Sequence, residues 1–430
     1  MRYTPINSSF YTTNREKVVG RLKPNSMVIL TSNERVPVNA DAFYPFKQNS
    51  DIFYLSGIDQ EETMLILAPD FPDPKLREVL FLKPTSESIA IWEGQKLSLE
   101  AGSALSGIET VRWSHEFDFV CAQLARASDH IYLLTHEESK SGSYTGYDRL
   151  VEDCRRKFPL HQYERFPPLI HDLRQVKKEP EIDQIKKAIA ITDEGFKKVL
   201  AHTRPGLKEY ELEALFSQVF LSRGSRGFGY DPILASGGNS CILHYTANDN
   251  VLRENALVLM DIGAEYGNYN ADITRTLPVS GKFTARQKAV YESVLFVKKQ
   301  ATGLLKPGTV LKDYQEEVGQ LVEEQLLKLG VLQAEEVRQQ DPVDPLYKRY
   351  FMHGTSHHLG LDVHDPGSRF RPLEPGMVLT VEPGIYLKEE GFGIRLEDDI
   401  LVTEGEPVNL SAAIPIEIEE IEDLMHGNNS

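Results

Sequence analysis

The chain has 430 residues, 41% of them apolar and 26% charged, with a formal net charge of −17. That make-up belongs to a folded globular protein and excludes a disordered one. So acidic a balance also excludes nucleic acid and anionic membranes as partners, since both require basic patches.

The length favours two domains over a single core. The opening stretch MRYTPINSSFYTTNREKVV lacks the apolar core of a signal peptide, and no apolar run approaches the ~20 residues that span a bilayer. Cys121, Cys154 and Cys241 are odd in number and show no CxxC spacing, which fits a reducing compartment and a cytoplasmic protein. Residues 26–31 (SMVILT), 63–68 (TMLILA), 78–82 (EVLFL) and 130–134 (HIYLL) read as buried strands, with a helix over 117–127. This part is expected to be a mixed α/β domain. Two polar-aromatic stretches stand out, 39–57 (NADAFYPFKQNSDIFYLSG) and 91–97 (IWEGQKL). Trp92 in the second reads most simply as a buried packing residue, or else as a surface that closes over something.

Near Pro167-Pro168 the texture changes, and the charged segment RQVKKEPE from Arg174 reads as an exposed linker into a helix over 182–201. The expected domains are therefore 1–172 and 173–430. The second half carries a weak internal repeat. Arg204-Pro205-Gly206 and Lys306-Pro307-Gly308 each separate two helical patterns, and the second helix of each pair ends on a glycine, Gly224 or Gly330. A pseudo-twofold domain follows, with helices covering one face of an antiparallel sheet, so the whole chain is expected to be α+β.

Chemistry concentrates in this second half. The apolar run 257–260 ends on Asp261, and after a turn-rich break a second strand carries Asp272. If Tyr266-Gly267 is a two-residue hairpin tip, the two acids face each other across the ladder, where like charges repel; a tip one residue later makes them diagonal. Glu382 ends the run MVLTV in the same way, and a turn about Glu389-Glu390 sets it opposite Glu397. His244 ends another apolar run, and His353, His357, His358 and His364 fall within FMHGTSHHLGLDVHD. Acids are rarely buried unless paired or metal-bound. Taken singly, each His reads as an ordinary core or surface residue, and Arg395 with Glu397 as a strand-surface ion pair of little worth. Taken together, four carboxylates and an imidazole are the donor set that hard divalent ions select, Mn²⁺ above thiolate-seeking metals.

The segments DIGAEYGNYNADITRT, HGTSHHLGLDVHD, EPGIY and GIRLEDD, in that order, resemble the pita-bread metallopeptidases, the fold of methionine aminopeptidase, prolidase and aminopeptidase P. Within that group the chain is most similar to the aminopeptidase P family, whose N-terminal domain FYPFKQNSDIFYLSG and IWEGQKL also resemble. The resemblance implies Asp261, Asp272, His357, Glu382 and Glu397 as ligands of two divalent ions per chain, Mn²⁺ first and Zn²⁺ or Co²⁺ as alternatives. Asp272 and Glu397 would bridge the ions. His357 rather than His358 fits the pattern HGxSHxLG. His244, His353, His364 and Arg395 match substrate-binding positions, and Asp41 and Trp92 match N-terminal positions that approach an active site, Trp92 reaching that of a neighbouring subunit in a homo-oligomer. The implied reaction is release of the first residue from peptides with proline second, by attack of a metal-activated hydroxide, with Glu382 as proton shuttle and His364 or His244 orienting the carbonyl. Prolidase, which cleaves only Xaa-Pro dipeptides, is the alternative; the short LKEEGF link between EPGIY and GIR favours the aminopeptidase. A non-catalytic pita-bread binding module, or a metal-free creatinase-like enzyme, would lack the acids.

Overall fold

The computed structural model describes residues 2–135 and 144–426. The chain falls into two compact units, Pro5–Leu173 and a second made of Met1–Thr4 with Arg174–Ser430.

In the first unit, among the described residues, β1 (Ser26–Thr31), β4 (Met64–Leu67), β5 (Glu78–Leu82), β6 (Thr110–Trp113), β7 (His130–Leu133) and β8 (Gln162–Arg165) form a sheet of order β6-β5-β4-β1-β7-β8; a small hairpin, β2 (Pro37–Asn39) with β3 (Ala42–Phe43), stands apart. The pairings of β1 with β4 and of β4 with β5 are antiparallel and the other three parallel, so the sheet is mixed, as the alternating pattern predicts. The continuous apolar runs SMVILT and EVLFL are buried almost throughout, the mark of strands covered on both faces. Fully buried Arg15 donates to the carbonyls of Leu55 and Ser106 and to Glu78, tying three segments together. The stretch 39–57 contains the helix Ser50–Ser56, buried from Asp51 onward.

The second unit contains two helical hairpins, Glu179–His202 with Glu209–Ser222 and Ala285–Leu304 with Leu311–Lys328, matching the repeat. Its strands form two nested hairpins of like design. In the first, β10 (Leu257–Asp261) pairs with β13 (Thr274–Pro278), and beyond a break β11 (Glu265–Tyr266) pairs with β12 (Tyr269–Asn270); β9 (Ile233–Ser236) flanks β10. In the second, β14 (Val378–Val381) pairs with β17 (Asp398–Leu401), and beyond a break β15 (Gly384–Leu387) pairs with β16 (Phe392–Arg395); β18 (Val408–Asn409) flanks β17. The stretch GIRLEDDILV, whose period-two alternation predicts one continuous strand, is divided at Leu396-Glu397. Buried Arg275 joins the two hairpins, donating from Nη1 to the carbonyl of Glu397 (2.6 Å) and from Nη2 to Asp398 (2.7 Å).

Two expectations fail here. The segment after Arg174 is not an exposed linker: Arg174, Gln175 and Lys177 are buried, and the two cations bind Asp365 at 2.6 and 2.9 Å. Burial alone would raise the Asp365 carboxyl, and Arg174 and Lys177 hold it well below its ordinary value. Trp92 is not buried but 85% exposed, in the helix Glu87–Glu93.

Candidate metal centre

The acids sit where the ladders break. The first hairpin turns at Gly267-Asn268, both with positive φ (59° and 70°), the type I′ geometry that suits twisted strands. The tip is therefore one residue later than Tyr266-Gly267. Asp261 faces Thr274, and the Asp261–Asp272 pair is diagonal. In the second hairpin the outer and inner ladders share one register, which carried across the break sets Glu382 opposite Glu397, as the turn about Glu389-Glu390 predicts. Pro383 cannot donate in the ladder, which accounts for the break there. Each hairpin thus delivers two carboxylates at its neck.

The imidazole arrives from a third direction. Residues 355–359 run beside β14, with Glu382 N–H donating to the Thr355 carbonyl (2.9 Å), Thr380 N–H to that of His357 (3.0 Å) and Leu359 N–H to that of Val378 (3.0 Å). Alternation along this extended segment turns His357 into the site and His358 into the core, where His358 is 3% exposed and packs on Gly367. His357 Nδ1 lies 3.0 Å from the His358 carbonyl, so it carries the proton and leaves Nε2 aimed at Asp272 Oδ2 (3.3 Å) and Glu382 Oε1 (3.5 Å). Ligand atoms of Asp272, His357 and Glu397 lie within 4.8 Å of one another.

These groups line one cavity of about 360 Å³ with His244, His353, His364, Arg395, Tyr230, Asp231, Ile233, Leu243, Thr246 and Val363. Arg395 donates to Asp261 Oδ2 (2.6 Å), Tyr386 Oη (2.8 Å) and Thr274 Oγ1 (3.2 Å). It is no surface partner of Glu397, which instead accepts from Thr274 Oγ1 at 2.5 Å. Tyr386 Oη lies 2.7 Å from His353 Nε2, and the His364 ring stands edge-on to His357 at 4.5 Å. His244 is exposed at the rim. Asp41 and Trp92 line a cavity of about 690 Å³ within the first unit, with Arg35, Phe43, Tyr44, Glu61 and Lys96 among its other walls.

Sequence reasoning passed over Tyr230, whose hydroxyl lies 2.6 Å from oxygens of both Asp261 and Asp272, and Tyr386. Tyr386 was visible as the last letter of EPGIY. Tyr230 follows the irregular run RGFG, whose only signal is an aromatic side chain just ahead of a buried strand.

The electrostatics describe a site built for cations. Burial, with repulsion from Asp261, raises the Asp272 carboxyl, although His357 opposes the shift. Burial pushes Glu382 up to about 7, and burial with repulsion from Asp272 and Glu382 drives Glu397 well above its ordinary value. Burial alone would lower His357, but Asp272 and Glu382 hold it up at about 9. Burial, aided by Arg395, lowers His353 to about 4 and keeps it neutral. Three acids that resist ionising together, grouped with Asp261 and with an imidazole nitrogen aimed among them, fit divalent metal.

The sequence profile of metallopeptidase family M24 matches residues 183–404. This chain belongs to metallopeptidase family M24. Its M24 region is preceded by a match to the aminopeptidase P N-terminal domain over residues 11–132. The chain is 35% identical to the Xaa-Pro aminopeptidase of Escherichia coli (strain K12), covering 98% of both, and 35% identical to that of Haemophilus influenzae, covering 97% of both. It superimposes on zinc-substituted Escherichia coli aminopeptidase P in complex with product at a TM-score of 0.89 and 34% identity, covering 99% of this chain and 100% of the other. The α+β pita-bread architecture expected from the sequence is that of these M24 relatives.

Proposed function

We propose that this M24 chain is a metal-dependent Xaa-Pro aminopeptidase. The observation that carries the reading is the convergence of Asp261, Asp272, His357, Glu382 and Glu397 in one cavity walled by His244, His353, His364 and Arg395. Those five residues would hold two divalent ions, with Mn²⁺ favoured by the oxygen-rich set. When bound, the ions supply Lewis acidity toward the scissile carbonyl and acidify a water at neutral pH.

The chain's own groups do the rest. Asp261, pinned by Arg395, sits where a substrate's free amine needs a counter-charge. Glu382 takes a proton on a carboxylate oxygen and returns it to the departing amine. His364 and His244 present imidazole to the carbonyl as charge develops on its oxygen. The histidines and Val363 offer ring faces and apolar wall to a proline, which has no N–H to bind in the manner of an added strand. The short turn between β15 and β16 supports the aminopeptidase over the dipeptidase. In the first unit, the exposed Tyr44, Ile91 and Trp92 support a homo-oligomer in which Trp92 reaches a neighbouring subunit's site, which light scattering would read. Acidic charge and three free cysteines support a cytoplasmic location.

The deciding experiment strips the metal and adds back Mn²⁺, Zn²⁺ or Co²⁺ against an Xaa-Pro-Xaa tripeptide and an Xaa-Pro dipeptide. We expect no activity when stripped, best recovery with Mn²⁺ and preference for the tripeptide. Full activity of stripped protein would overturn the reading, and cleavage of the dipeptide alone would make the chain a prolidase.

A further inference from the structure

At the cavity floor every carboxylate has a partner. Asp261 has Arg395 and Tyr230, Asp272 has Tyr230 and His357, Glu382 has His357, and Glu397 has Thr274. Asp231 lines the same cavity and differs: it is exposed, and among the described residues its side chain has no hydrogen-bond or ion-pair partner. A partnerless acid on the wall of a site that takes peptides is placed for a cation the substrate brings.

Its position says which cation. Ile233, the first residue of β9, is the Cα partner of Asp261. Asp231 lies two residues earlier, before Pro232, which biases it to extended backbone. In extended chain, residues two apart share a side and stand roughly 7 Å apart, and both Asp231 and Ile233 do line the cavity. The substrate's α-amine is bonded to the same carbon as the scissile carbonyl, so it stays beside the acids that grip the metal and falls short of Asp231. A lysine or arginine side chain on that first residue reaches roughly 6–7 Å from its Cα, which spans the gap. Its methylenes would lie on Ile233 and Leu243 while the charged head stays in solvent.

We propose that Asp231 is a specificity-determining residue, selecting a cationic side chain, Lys or Arg, on the first residue of the peptide. The inference rests on the aminopeptidase reading. Because the pair is solvated, its effect is modest, roughly three- to fivefold in relative kcat/KM.

The test is competition in one tube between Arg-Pro-Ala or Lys-Pro-Ala and Leu-Pro-Ala, using Mn²⁺-loaded wild type, Asp231→Asn and Asp231→Lys. The ratio of rates is independent of how much protein folds. Asp231→Asn is expected to lower the cationic-to-leucine ratio roughly three- to fivefold, and Asp231→Lys to lower it further and to raise Glu-Pro-Ala relative to Leu-Pro-Ala. An unchanged ratio overturns the inference, whether total activity holds or falls uniformly; a uniform fall would assign Asp231 to the α-amine or to structure. Wild type that cleaves none of these peptides would overturn the aminopeptidase reading itself, an outcome distinct from a flat ratio.

Discussion

A phenol has one proton to give, and Tyr230 Oη touches two acids, at 2.6 Å each. It uses the Oδ1 atoms, while the Oδ2 atoms face Arg395 and His357. The hydroxyl thereby holds at short range two carboxylates whose diagonal register alone would let them diverge. Tyr230→Phe removes that tie without removing a charge. A hydrogen bond to a charged group contributes about 1.5–3 kcal/mol, so divalent-metal binding to the stripped protein should weaken by roughly tenfold or more. Calorimetric titration with Mn²⁺ reads this directly, and an affinity within twofold of wild type would show that the ladder alone sets the spacing.

The nested hairpin is what the sequence made most visible and, in its register, least. The runs LVLM and MVLTV ending on acids announced strands with a charged terminus, because burial of an acid demands a reason. The turn in EYGNYN was visible too, but Tyr266-Gly267 and Gly267-Asn268 are both sound tips by composition, and only the paired positive φ values decide for the second. In the other hairpin a turn about Glu389-Glu390 set Glu382 across from Glu397, although Pro383, which cannot donate in the ladder, left that register the less secure, and Glu382 does face Glu397. His357 over His358 followed from the motif, and alternation supplies its physical cause. Tyr230 and Asp231 were illegible because an irregular segment carries no period to place them. The linker after Arg174 misled because charge clusters signal solvent only when unpaired, and these pair with Asp365. Close approach of strands at the first neck makes a further prediction at this scale. A Cβ on Gly263 would lie 1.7 Å from the Ala271 carbonyl oxygen, a backbone atom that cannot step aside alone. Gly263→Ala must therefore push apart the segments bearing Asp261 and Asp272. Overpacking of this kind costs about 1–3 kcal/mol, and it should weaken metal binding along with thermal stability. A variant that melts lower yet binds Mn²⁺ normally would mean that the neck yields elsewhere.

Across the whole molecule, the crowded acids make the stability of stripped protein depend on pH with a definite sign. His357 is held at about 9 against an ordinary 6.5, so the folded protein keeps a proton that the unfolded chain releases. That contribution is complete below pH 6.5 and is lost as pH rises through 9. Glu382, pushed up to about 7 from 4.5, acts in the same direction over its own lower window, and Glu397, driven well above its ordinary value, adds to it. His353, lowered to about 4, works oppositely, but only between 4 and 6.5, where the unfolded chain takes up a proton that the folded one refuses. The clean interval is therefore pH 6.5 to 9, where stripped protein should lose several degrees of Tm as its acids ionise unopposed. Divalent ions replace the protons as the compensating charge and stabilise the fold by mass action, so their effect on Tm should be largest at the alkaline end. Scanning calorimetry of stripped and Mn²⁺-loaded protein at matched ionic strength tests both slopes. A stripped protein whose Tm is level from pH 6.5 to 9, with a metal increment that does not grow, would mean that the carboxylates relax apart once empty and that the necks of the two hairpins do not hold them together.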